Sequence, residues 1–149
     1  MVPASSYNGR MVRPEGRRSV GLTHVAVRLS SSESTETYTA DFLVDTGAID
    51  SRAPASELSL IGIQRVGQRR YELADGTGHE YAFGLARIEF MGEITAGRVI
   101  FGPEGVEPIL GATALESAGM IVDPGTQTLK RLPTVSLKSV REITADRNE

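Results

Sequence analysis

Two apolar segments about 65 residues apart, LVDTGA at 43–48 and PILGATAL at 108–115, each run straight into a glycine turn. Glycine there lets the chain turn sharply and lets another backbone approach closely. The first segment also carries a carboxylate. Phe42, Leu43 and Val44 suit a buried strand, yet they end on Asp45, Thr46 and Gly47. An unpaired ionised carboxylate is costly to bury, so it finds a partner or takes up a proton. Taken alone, Asp-Thr-Gly is an ordinary strand-end turn, because all three residue types favour turns.

The rest of the chain supplies short strands. Val25, Val27 and Leu29 alternate at the end of residues 20–29, and Tyr38, Ala40, Phe42 and Val44 alternate within 37–45. Both patterns predict strands. A polar loop, SSSESTE at 30–36, separates them. PASELSLIG at 54–62 reads as one short helical turn opened by Pro54. YELADGTGHEYAFGLARIEF at 71–90 reads as a hairpin with Asp75-Gly76 at its turn. TAGRVIF at 95–101 reads as a strand, followed by a loop, FGPEGVEP, at 101–108. TALESAG at 113–119 reads as a short helix: Thr113 and Glu116 have capping-box spacing, and Gly119 suits the C-terminal cap. MIVDPGTQTLKRL gives two strands about Asp123-Pro124-Gly125. Aromatics are only 5% and Trp is absent, so the core is expected to be mostly aliphatic. Many short strands, tight turns and one or two short helices indicate a mostly-β barrel or sandwich. The expected organisation is a flexible arm at 1–19, one domain at 20–133 and a loose tail at 134–149.

Several function classes are disfavoured. Net charge is −3 with no basic face, so nucleic acid is not the expected partner. The absence of cysteine excludes disulfides and thiolate chemistry. His24 and His79 have no acidic or histidine neighbours at ligand spacing, so no metal and no other cofactor is expected. GTGHEY at 76–81 lacks the third glycine of a dinucleotide fingerprint. Asp41, Asp50, Asp75 and Asp123 read as surface or turn residues, and Arg10–Arg18 as a solvated cluster. No stretch approaches the length of a membrane span, and no apolar run follows the N-terminal arginines, so no membrane partner and a cytoplasmic location are the expectations.

The order of parts, FLVDTGA, a glycine-bearing hairpin, ILG, a short helix and two final strands, resembles the single-domain, retroviral-type (retropepsin-like) aspartic peptidases also found in bacteria. The resemblance covers roughly residues 20–133. It implies a closed, six-stranded-type acid-protease barrel that works as a homodimer on peptide or protein substrates without a cofactor. Asp45 then corresponds to the catalytic aspartate, which faces its symmetry mate so that two carboxylates share one proton. Thr46 corresponds to the residue that bonds across to the partner chain, Gly47 to the glycine beside the carboxylates, and Ala48 to the common fourth residue. Gly76, Thr77 and Gly78 fall at the tip of the substrate-covering flap. Ile109, Leu110 and Gly111 correspond to the segment that supports the active-site loop. Two positions depart from the pattern: Ile49 stands where an acid usually follows, with Asp50 one place later, and Arg52 stands where an aliphatic residue is ordinary. These departures leave open an alternative, a non-catalytic dimerisation or peptide-binding module with the same fold. A two-carboxylate glycosidase lacks a second acid in a matching motif.

Overall fold

The computed structural model describes residues 23–133. The arm at 1–19 and the tail at 134–149 lie outside the described residues, as does the start of the strand expected at 20–29. In chain order the elements are β1 (His24–Ser30), β2 (Tyr38–Val44), β3 (Ser51–Pro54), helix α1 (Ala55–Leu60), β4 (Gly67–Glu72), β5 (Gly78–Phe90), β6 (Glu93–Gly102), β7 (Ile109–Leu110), helix α2 (Ala112–Ser117), β8 (Met120–Asp123) and β9 (Thr128–Arg131). The protein is mostly β with two short helices, as expected.

Seven strands form one sheet in the order β1-β2-β7-β3-β6-β5-β4, and a further pairing joins β1 to β5. Six of them therefore pair in a closed ring, and β4 pairs with the first part of β5 (78–83), ahead of the stretch where β1 joins it. The ring closes where Arg28, Leu29 and Ser30 pair with Glu89, Ile88 and Arg87. β8 and β9 form a separate two-stranded sheet.

The period-2 pattern explains the ring's inside. Val27 and Leu29 of β1, Phe42 and Val44 of β2, and Ala86, Ile88 and Phe90 of β5 all point into one buried cluster. Their alternating neighbours Arg28, Asp41, Arg87 and Glu89 point outward. Leu58 and Ile61 at α1, and Ala114 and Leu115 of α2, join the same cluster. Fully burying one such aliphatic side chain contributes about 1.5–3 kcal/mol, so the short helices hold the ring chiefly through these few residues.

Four local features differ from the sequence expectation. β4 begins at Gly67 rather than near residue 71; Gln68, Arg69 and Arg70 are exposed, so the strand carries no apolar alternation. β3 was not foreseen, because its pairing comes from β6 on one side and β7 on the other rather than from a local pattern. β5 and β6 form a long hairpin turning at Met91 and Gly92, both at positive φ (51° and 78°). Successive positive φ angles make the tight turn whose twist suits a hairpin, and methionine is an uncommon residue there. Finally, the capping box does not form. The N-cap of α2 is Gly111, with no side-chain cap bond, and Thr113 lies inside the helix. Gly119, at φ 72°, does follow the helix end as expected.

Candidate active site

Asp45 follows β2 directly, and the strand's hydrogen bonding carries it into place. Its N–H donates to Leu110 O (3.0 Å), extending the parallel pairing of Leu43 and Val44 with Ile109 and Leu110. β7 thus lies between the strand that enters the Asp45 loop and the strand that leaves it, since Ile109 also pairs with Arg52 of β3. The carboxylate is half-buried, and among the described residues its side chain takes one hydrogen bond, from the Gly47 N–H to Oδ1 (3.0 Å). Ala48 N–H closes the turn on Asp45 O (3.1 Å). Thr46, Gly47 and Ile49 are exposed, and Ala48 is half-buried.

The loop is clamped from behind. Ala112 N–H donates to Ala48 O (2.8 Å), and Thr113 N–H donates to Ile49 O (3.1 Å). The first N–H groups of a helix have no partner within the helix. Here the loop carbonyls take two of them, including the Thr113 N–H that Glu116 would otherwise reach, and Thr113 stands inside the helix rather than at its N-cap. Gly111 N–H donates to the buried Ser51 Oγ (3.0 Å). A Cβ on Gly111 would lie 2.7 Å from Asp50 C and O and 2.9 Å from Ile49 O. Only glycine admits so close an approach of two backbones. Ile109, Leu110 and Gly111 thus lie directly against the 45–50 loop.

The ADGTG hairpin turn lies between β4 and β5. Gly76 N–H donates to Leu73 O (2.9 Å), and Leu73 N–H to Thr77 O (2.7 Å). Asp75 Oδ1 accepts from both Thr77 Oγ–H (2.7 Å) and Thr77 N–H (2.9 Å). The Thr77 hydroxyl, then its N–H, hold the Asp75 carboxyl below the ordinary range. Gly76 is exposed at φ 89° with open space around it. Gly78 packs against the Arg70 guanidinium, where a Cβ would meet Nε at 2.7 Å. Arg70, Tyr71, Glu72, Gly76 and Gly78 line an open pocket of ≈ 390 Å³ on this hairpin. None of these residues belongs to the Asp45 loop.

The link between hairpin and loop is Asp50, which sequence reasoning assigned to the surface. That expectation is corrected: Asp50 is 5% exposed. Tyr71 Oη–H donates to its Oδ2 at 2.6 Å. Nη1 of Arg69 and Nη1 of Arg98 each stand 3.9 Å from the same oxygen. Burial, then the hydrogen bond to Asp50 and the charge of that carboxylate, push the Tyr71 hydroxyl up to about 12, although Arg69 and Arg98 act in the opposite sense. No local pattern in the sequence announces this cluster, since its members stand at 50, 69, 71 and 98.

Arg52, the other departure, is held at its guanidinium end, although its buried Nε has no hydrogen-bond partner among the described residues. Its Nη2–H donates to Glu107 O (3.1 Å), and its Cγ lies against Gly102, where a Cβ would stand at 3.0 Å. His24 Nε2 and Glu107 Oε2 are 2.7 Å apart on the surface beside it. Among the described residues no group of three His, Cys, Asp or Glu side chains is arranged to hold a metal ion, and no helix is long and apolar enough to cross a membrane. No protein-family model matches the chain, and no curated protein matches it.

Proposed function

We propose that this chain is one half of an aspartic endopeptidase, in which the strand ring serves as an acid-protease barrel and two copies meet at the Asp45 loop. The observation that carries the reading is the state of Asp45. Its carboxylate ends a buried strand, is half-buried, takes one backbone N–H, and stands on a loop clamped by the Leu110–Thr113 segment. A surface turn has no need of that clamp. A group that must meet a second copy of itself in fixed geometry does.

In the proposed dimer the two Asp45 carboxylates face each other and hold one proton between them, because like charges that close are not both ionised. The ionised carboxylate removes a proton from a water as it attacks the scissile carbonyl carbon, while the protonated one donates to the carbonyl oxygen. Collapse of the gem-diol intermediate breaks the C–N bond: one Asp45 gives its proton to the departing amine nitrogen while the other takes back a hydroxyl proton as the carboxylic acid forms, which restores the singly protonated dyad. The Gly47 N–H holds one oxygen of Asp45 and so fixes the carboxylate plane. Exposed Thr46 and Gly47 are available to the partner copy, and the hairpin tip at Gly76–Gly78 would cover substrate.

One observation favours the second reading, a non-catalytic dimerisation or peptide-binding module: the only acid that closely follows Asp45 is sequestered from substrate by Tyr71 and two arginines. A mixing experiment separates the two. Asp45→Asn is co-refolded with an equal amount of wild type and assayed on a diverse peptide library. With random pairing, about a quarter of the dimers keep both carboxylates, so activity per wild-type chain falls to roughly half if mixed dimers are inactive. A module gives dimers with no cleavage to lose. Full retention of activity per wild-type chain would refute the shared dyad.

A further inference from the structure

Asp50 is buried at a place where burial of a carboxylate needs a reason. An internal ion pair seldom stabilises a fold more than well-packed apolar side chains of the same size, and its best-attested use is to fix one arrangement over others. The groups that face Asp50 come from two separate elements. Tyr71 and Arg69 belong to β4, the first arm of the ADGTG hairpin, and Arg98 belongs to β6. β4 is the ring's appendage, pairing only with β5 among the described strands. Its side chains Gln68, Arg69 and Arg70 are exposed, so little apolar burial holds it down. The Tyr71–Asp50 bond therefore carries an unusual share of what fixes this arm to the loop.

The other contacts fit the same picture. The Arg69 guanidinium stands 5.8 Å from the Tyr71 ring centroid, and that of Arg98 stands 4.7 Å from the Phe83 ring of β5. Both guanidinium groups are thus steered toward the carboxylate by aromatic faces, yet neither comes closer than 3.9 Å to Oδ2. The short, directional contact is the tyrosine hydroxyl.

We propose that Asp50 is a positioning residue, a latch through which Tyr71 ties the β4 arm of the hairpin to the loop that begins at Asp45. Opening of the hairpin and loosening of the loop are then one event rather than two. The coupling itself stands without any assumption about activity; its consequence for turnover rests on the peptidase reading above. The loop side of the latch is short: Asp50 precedes Ser51, whose hydroxyl holds Gly111 N–H, and follows Ile49, whose carbonyl holds Thr113 N–H. Slack at Asp50 is transmitted directly to the clamp behind Asp45.

The test is hydrogen exchange on the full chain, comparing wild type, Tyr71→Phe and Asp50→Asn. Tyr71→Phe keeps the ring and the charges of Asp50, Arg69 and Arg98 and removes only the hydroxyl. A hydrogen bond to a charged acceptor is worth at least a tenfold change in a local equilibrium. Exchange should therefore quicken about tenfold or more in residues 67–78 and also in 46–50, while the central amides of β5 and β6 keep the wild-type rate. The double variant should quicken these segments no more than the larger single change, because both remove the same link. Acceleration confined to the hairpin, with the loop unchanged, overturns the proposal. So does uniform acceleration of every amide, which marks mere loss of global stability, and so does no change. If Asp50→Asn fails to fold, Tyr71→Phe alone decides the matter. In a peptide assay the latch predicts that Tyr71→Phe lowers kcat and raises KM together, each several-fold, because the covering hairpin and the Asp45 loop loosen as one. Absence of cleavage by wild type would defeat the peptidase reading and leave the exchange result standing.

Discussion

Replacing Gly111 by alanine tests whether the clamp behind Asp45 is as tight as its geometry implies. The new Cβ would sit 2.7 Å from Asp50 C and O. To reach an ordinary contact of 3.4 Å, the two backbones must separate by about 0.7 Å. Neither contacting atom belongs to a side chain that can swing aside. A separation of that size would lengthen Gly111 N–H to Ser51 Oγ from 3.0 Å, Ala112 N–H to Ala48 O from 2.8 Å, and Thr113 N–H to Ile49 O from 3.1 Å. All three would pass the roughly 3.2 Å upper range of good bonds. At about 1 kcal/mol net for each, the loss is about 3 kcal/mol. If the bonds hold instead, the overlap costs about 1–3 kcal/mol as packing strain. The two routes together bracket a destabilisation of about 1–3 kcal/mol, or about 1–2 M in urea midpoint for a domain of this size. Gly97→Ala is the control, because a Cβ there meets nothing within 4 Å; it should change stability by no more than about 1 kcal/mol. The assay is urea unfolding followed by far-UV circular dichroism at one protein concentration, with the slope m compared across variants. A Gly111→Ala midpoint equal to wild type, or equal losses at both sites, would refute the argument.

Two predictions concern titration. Tyr38 and Tyr71 are both pushed up to about 12, Tyr38 by burial and then the charges of Glu57 and Glu104, and Tyr71 by burial and then its bond to Asp50. Because both folded values lie above the ordinary one, the stabilisation from the neutral hydroxyls is whole below about pH 10 and is lost as pH rises through about 12. Ultraviolet titration should show a late-ionising group of tyrosines from which Tyr71→Phe removes one; ionisation of all tyrosines together near pH 10 would contradict this. Asp75 is shifted the other way, so its contribution to the hairpin turn is present above the ordinary carboxylate value and fades as pH falls through the lowered folded one. The Thr77 amide should stay protected through mildly acid pH and lose protection only in strong acid, and Asp75→Ala should abolish that pH dependence.

How far the sequence discloses this molecule depends on how local each cause is. β1 and β2 are legible because Val27, Leu29, Phe42 and Val44 recur at every second position and face a single core. The hairpin turn is legible because Asp75 and Gly76 are the residues such a turn needs. The turn at Met91-Gly92 is not, since a methionine at φ 51° is held there by the long β5–β6 pairing and not by its own preference. The same holds for α2. Thr113 and Glu116 have the spacing of a cap, yet the helix starts earlier, at Ala112, and the Thr113 N–H that Glu116 would satisfy is claimed by Ile49 O, sixty-four residues away in the chain. Asp45, Thr46, Gly47 and the ILG segment are readable as a motif, and the structure brings 45–48 and 109–111 together. Asp50 could be recognised only once β4 and β6 had delivered Tyr71, Arg69 and Arg98 to it.

The two carboxylates of this loop, five positions apart, are given opposite surroundings. Asp45 is half-buried, lies beside exposed Thr46 and Gly47, and takes one backbone donor. Asp50 is closed off and held by a hydroxyl and two guanidinium groups. The two carboxylates differ in access: Asp45 is left open beside exposed residues, and Asp50 is held in place by its neighbours. The order of Ile49 and Asp50 follows from this division. An acid at 49 would point to solvent, since Ile49 is 60% exposed, and would be free to meet a substrate backbone. An acid at 50 points inward and reaches β4. The chain therefore places its acid at 50, where it reaches from the loop to the hairpin. An exposed isoleucine stands at 49, and it puts apolar surface next to the Asp45 carboxylate. Exchanging the pair, Ile49→Asp with Asp50→Ile, would undo both choices at once. It would leave Arg69, Arg98 and the Tyr71 hydroxyl facing an aliphatic side chain that none of them can bond.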